Sequence, residues 1–191
     1  MTLRELEEYR ALRDTIRERG TARHWIVVFG FGVWAALTLG AVALVSPPVA
    51  TLLPLLVLVV VFEVIFAIHT GVERVGRYVQ VYFEAAEETA RWEQVAMAYG
   101  RAYGGGGIDA LFTPVFWTAA LLNFIPATLS GPAAIDWVVV GAVHALFIVR
   151  VGSARRQAGR QRAVDLERFS RLKAEQPRED QAETRTASRT P

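Results

Sequence analysis

Cysteine is absent from this chain of 191 residues, lysine occurs once, and the connections Ser46–Thr51 and Ser130–Pro132 carry no charge of either sign. Without cysteine there is no disulfide, thiolate metal site or cysteine nucleophile to consider. Catalytic spacings are missing too: the sequence has no HExxH, no GxSxG and no Asp/Asn cluster of the kind lipid-phosphate enzymes use. The four glycines 104–107 lack the lysine and preceding strand of a phosphate-binding loop. These absences point away from an enzyme, and no catalytic residue, metal ligand or cofactor is assigned.

Long apolar runs are abundant. Trp25–Val45, Leu52–Ile68, Leu111–Leu129 and Ala133–Val149 are each about 17 to 21 residues, against the roughly 20 needed to cross a bilayer at 1.5 Å per residue. Trp25–Val45 holds no charge, whereas a globular core helix of that length shows a polar stripe. A signal peptide is a poor alternative, because the 24 residues before this run include five acidic ones.

The basic residues orient the runs. Six arginines lie in 1–24, four in 70–109, and ten plus Lys173 in 150–191. Only an even number of spans with both termini inside puts every Arg and Lys on the cytoplasmic side. The expected fold is therefore an all-α integral membrane protein: four transmembrane helices in an antiparallel bundle, with amphipathic cytoplasmic helices, in a cell (inner) membrane. The excess of arginine over lysine, with abundant Ala, Val and Gly, fits a GC-rich bacterial genome.

Six segments follow from this pattern. Residues 1–24 form an amphipathic helix, with Leu3, Leu6, Tyr9, Leu12 and Ile16 at helical spacing and Gly20 as its stop. Residues 25–69 are the first hairpin. Residues 70–109 are a cytoplasmic helical segment: Val72, Val75, Val79, Tyr82, Ala86 and Ala90 form an apolar stripe, Glu73–Arg77 and Glu87–Arg91 are i,i+4 pairs, and the glycines end the helix. That stripe needs cover, from the membrane, from its own chain or from a partner. Residues 110–152 are the second hairpin, capped by Asp109. Residues 153–173 are a basic helix whose Arg155, Arg156, Arg160 and Arg162 suit anionic head groups. Acidic residues interrupt the basic tail, so nucleic acid is not an expected partner. From Ala174 to Pro191 the composition predicts disorder. Residues 43–50 and 127–134 resemble each other faintly, as two tight outer turns or a duplicated hairpin.

Polar residues inside the runs are the candidate site. Charge at mid-bilayer costs about 2.5–3.5 kcal/mol, so Glu63, Asn123 and His144 should face the bundle and have partners. Counted from the outer turns, Glu63 and His144 fall at similar depth, which allows a Glu63–His144 pair acting as interhelical glue or as a proton relay. Pro114 and Pro126 should kink the third span beside Asn123. Gly32, Ala36 and Gly40 make a small-residue stripe for close packing within the bundle or with a second copy. The favoured function is a non-enzymatic membrane protein that docks a partner or senses the membrane through its cytoplasmic helices. The alternative is an oligomeric ion or proton channel or transporter using Glu63 and His144.

Overall fold

The computed structural model describes residues 3–44, 47–84 and 109–187, together with Trp92, Val95, Ala98 and Tyr99. The described residues are helical, with no strand among them. Helix α1 is Leu3–Ala43, α2 is Leu52–Val79, α3 is Thr113–Asn123, α4 is Ile125–Leu129 and α5 is Ala134–Ala187. A 3-10 turn at Pro48–Thr51 leads into α2, and a π-helical turn at Gln80–Glu84 ends it. Three of these stretches, Leu3–Ala43, Pro48–Glu84 and Ala134–Glu175, are long and apolar enough to cross a membrane; Thr113–Leu129 is apolar but shorter.

Three local readings change. Gly20 does not stop α1, which runs unbroken through it, since one interior glycine costs only about 1 kcal/mol against strong helix formers on either side. Helix α5 continues to Ala187, past the expected onset of disorder, through a stretch rich in Ala, Glu, Gln and Arg. The third apolar run is broken rather than merely kinked. Pro126 cannot donate a backbone hydrogen bond, and the Phe124 amide bonds to Leu121 in a tighter turn between α3 and α4. The Glu87–Arg91 pair, Ala86, Ala90 and the glycine break at 104–107 lie outside the described residues.

The chain divides into two compact units: residues 18–69 with 108–158, and residues 1–17 with 70–107 and 159–191. The first is built on an apolar core. Its core stacks Phe62, Phe116 and Phe147, with Phe62 and Phe116 edge to face at 5.2 Å and Phe31 of α1 on Phe116 at 5.2 Å. Leu55, Leu58 and Ile65 fill it from α2, and Ala119, Ala120 and Ala154 let the helices approach. Contacts advance together along α1 and α3, from His24 on Phe112 to Phe31 on Phe116 and Trp34 on Asn123. They run in opposite senses along α3 and α5, from Phe116 on Phe147 to Asn123 on His144.

Asp109 anchors the entry to α3. Its carboxylate accepts the amides of Leu111 at 3.0 Å and Thr113 at 3.1 Å and pairs with Arg155 at 3.1 Å. Burial alone would raise this carboxyl, but those bonds and the guanidinium together hold it below its ordinary value. At the other end, Asp136 accepts the Ala133 amide at 2.9 Å and so caps α5. The two similar outer turns are built differently: the first buries Thr51, while Gly131 and Ala133 of the second are exposed.

Close packing of α1 falls on a different glycine from the expected stripe. A Cβ on Gly32 or Gly40 would meet nothing within 4 Å, and Gly32 and Ala36 are exposed. Gly30 is the tight position, where a Cβ would collide with the branched side chain of Val61. Gly30→Val should therefore lower unfolding stability by about 1–3 kcal/mol, the usual cost of overpacking. Gly32→Val should change it by less than about 1 kcal/mol, and reversible unfolding in mixed micelles measures both.

Candidate functional site

Asn123 is fully buried at the break between α3 and α4, and its amide reaches α1, the 3-10 turn before α2, and α5. Its Nδ2 donates to the Thr51 carbonyl at 2.9 Å and to Nε2 of His144 at 3.0 Å. Its Oδ1 accepts the indole N–H of Trp34 at 3.2 Å and lies 3.3 Å from the Thr38 hydroxyl. That hydroxyl has one proton and sits closer, at 2.8 Å, to the Trp34 carbonyl one turn earlier.

The network fixes proton positions. Nδ1 of His144 lies 2.8 Å from the Val140 carbonyl, which can only accept, so Nδ1 carries the hydrogen and Nε2 is left to accept from Asn123. A proton on Nε2 would set two donors face to face. Flipping the Asn123 amide would not relieve this, because its Nδ2 would then oppose the Trp34 donor. With a neutral imidazole, both amide hydrogens of Asn123 and its Oδ1 are used. Phe124 packs edge-on to the His144 ring at 5.1 Å and closes the cluster.

Glu63 is elsewhere. The structure brings Asn123 and His144 together, but Glu63 pairs with Arg150, with both guanidinium contacts at 2.8 Å. Arg150 lies over the rings of Phe66 and Phe62, at 4.7 and 5.6 Å from their centroids. Counting depth from the outer turns fails because the first turn sinks. Thr51 is bonded through Asn123 to the level of His144, so Glu63, about three helical turns further along α2, meets the later Arg150 instead.

The second unit is charged where the first is apolar. Among its described residues the buried side chains include Val79 and Val81, but also Arg77, Glu84 and Asp165. Glu84, at the end of the π-helical turn, pairs with Arg13 of α1 at 3.0 Å. On α5, Asp165 meets Arg74 at 3.3 Å and Gln161 at 2.9 Å, and Arg162 meets Glu73 at 2.6 Å. Arg77 bonds Gln80 at 2.7 Å and lies 4.0 Å from Glu73. Lys173 donates to the Val81 carbonyl and lies over Tyr82. Tyr9 packs on Phe83 and Phe169 on Tyr78, and of the described stripe residues Val79 is fully buried while Val72, Val75 and Tyr82 are half-buried.

Of the four arginines expected to meet head groups, Arg155 pairs with Asp109 and Arg162 with Glu73, while Arg156 and Arg160 are exposed. Sequence reasoning missed Thr38, Thr51 and Arg150. Trp34 was detectable, being an indole far from either expected membrane boundary. Thr51 was not, because it contributes a backbone carbonyl.

Asn123→Ala should cost about 2 kcal/mol or more, since three buried groups lose their partner. Asn123→Asp should cost more, because a second oxygen would face the Thr51 carbonyl and the His144 lone pair; unfolding in mixed micelles ranks the two.

Tyr78 gives a pH test of the charged unit. Its hydroxyl is pushed up to about 12, first by burial and then by its 2.9 Å bond to the Glu8 carboxylate. A raised value means this contribution is complete below the ordinary 10.0 and is lost as pH rises through about 12. Alkaline titration at the phenolate absorbance should show one late tyrosine that Tyr78→Phe removes. Glu8→Gln should bring it down only part of the way, burial being the larger cause.

No protein-family model matches this chain, and neither curated proteins nor solved structures give a match to it.

Proposed function

We propose that this is a small four-span membrane protein of the bacterial inner membrane, with both termini in the cytoplasm and a non-enzymatic role in docking a partner. One observation supports membrane residence above the rest: the apolar unit turns large apolar side chains outward while it buries its polar Asn123 and His144. Phe29, Val33 and Leu39 of α1, Leu53, Leu56 and Val60 of α2, Leu121 of α3, and Val138, Leu146 and Val149 of α5 are all exposed, while Asn123 and His144 are buried. A water-soluble exterior rarely carries so extensive an apolar surface, whereas lipid requires one. Thr113–Leu129 would be the fourth span, about 25 Å long at helical rise and so near the thin end of what a bilayer needs.

The docking part of the reading rests on Trp92, Val95 and Tyr99. They stand at spacings of three and four in the sequence, and all are exposed. That pattern is the anchor spacing of a helix presented to a groove. The relay alternative required Glu63 and His144 in one hydrogen-bonded chain; their separate partners leave it without that support.

Because the chain has no cysteine, single-cysteine topology mapping needs no altered background. A cysteine replacing Ser130 should react with an impermeant reagent only from the periplasmic side, and one replacing Arg160 only from the cytoplasmic side. Reaction of both from the same side would overturn the topology. A photoreactive residue at Val95 should then give an adduct of protein mass in cells. Adducts to lipid alone would favour membrane sensing, and no adduct would remove the docking reading.

A further inference from the structure

The two units are held together by opposite physics. Among the described residues, the apolar unit buries a large aromatic and aliphatic core around one neutral amide network. The charged unit buries three charged side chains, Arg77, Glu84 and Asp165, against two aliphatic ones, Val79 and Val81. Among the described residues, each of three helix-to-helix ties between charged groups has a partly exposed member. Arg13 is 25% exposed opposite the fully buried Glu84, Arg74 is 56% exposed opposite Asp165, and Arg162 and Glu73 are 36% and 25% exposed. Pairs with one foot in solvent lose strength as salt rises: the screening length falls from about 10 Å at 0.1 M to about 3 Å at 1 M.

The ties converge on one place in the chain. Arg13 holds Glu84 and Lys173 holds the Val81 carbonyl, so α1 and α5 each grip the π-helical turn. Arg74–Asp165 and Arg162–Glu73 fasten α2 to α5 just before it. A π-helical turn is a rare departure from the α-helix, found mostly where function requires it. Removing the charge attraction would leave the turn, among the described residues, with buried Val79 and Val81 and the ring contacts of Tyr9 on Phe83 and Phe169 on Tyr78.

We propose that the charged unit is an ionic-strength-responsive element, closed by the Arg13–Glu84, Arg74–Asp165 and Arg162–Glu73 pairs at low salt and loosened as salt rises. The response belongs to the ion concentration and not to a particular ion, since the groups are ordinary guanidinium–carboxylate pairs. Its sidedness, sensing of the cytoplasm, rests on the orientation proposed above; the response itself does not.

Spin labels on Ala11→Cys and Ala163→Cys report on it, as both positions are exposed and neither takes part in a charge pair. In detergent, the inter-label distance distribution of the full chain should be narrow at 0.05 M salt. By 0.6 M the ratio of broad to narrow populations should rise about tenfold, the combined weakening of three half-exposed pairs. NaCl and KCl should act alike, and sucrose of equal osmolality should do nothing. Glu73→Gln, Glu84→Gln and Asp165→Asn together should give the broad distribution already at 0.05 M, with the apolar unit still folded by its own unfolding transition. A distribution unchanged by salt in the native chain overturns the proposal, as does a salt response that survives the triple substitution. In sealed liposomes, a response to salt on the inner-face side alone supports the orientation. A response to the opposite side overturns the orientation and leaves the switch standing.

Discussion

The amide of Asn123 is the contact on which the apolar unit depends. One side chain holds α1 through Trp34, the start of α2 through the Thr51 carbonyl and α5 through His144, from a break in the helix that carries it. In an apolar surrounding no water is available to satisfy a stranded donor or acceptor, so the arrangement is nearly all-or-none. Each partner fixes the others. The Val140 carbonyl sets the His144 tautomer, His144 and Thr51 set which end of the amide donates, and Trp34 sets where its oxygen points. The depth of the first outer turn and the separation of Glu63 from His144 both follow from that one network.

Continuity of helices links this unit to very different chemistry. Helices α1, α2 and α5 each contribute residues to both units, yet their sequences change character along their length. In α2 the side chains buried near its start are Leu55 and Leu58, and those near its end include Arg77. Apolar packing is insensitive to charge screening, whereas half-exposed ion pairs are not. A single helix can thus be rigidly held at one end and conditionally held at the other. The Glu63–Arg150 pair is intermediate: its guanidinium lies over two phenylalanine rings, so aromatic contact supplements the charge attraction.

Much was legible beforehand because it depends on composition along the chain. The apolar runs place α1, α2, α3 and α5, Asp109 holds the start of the third run where its position implies, and Pro126 interrupts that run, whereas Pro114 sits in the first turn of α3 and bends nothing. Asn123 and His144 stood out as polar groups in apolar runs and are partners. Gly20 and the end of α5 were misread for one reason, while the Gly32–Ala36–Gly40 stripe makes no close contact within the chain. Local propensity describes what a segment prefers in isolation, and neighbouring packing decides whether a glycine is a stop, a contact or an ordinary helical residue.

By itself the sequence determined which segments are helical and which of their residues could not be left in an apolar environment, since both depend on local chemistry and spacing. The tertiary structure alone decided the partners. Whether Glu63 faces His144 or Arg150, whether Gly30 or Gly32 sits against a neighbour, and whether an arginine serves a head group or a carboxylate all depend on how far one helix is shifted along another. That shift is set by contacts between residues far apart in the chain, here by a backbone carbonyl at Thr51 that has no signature in the sequence.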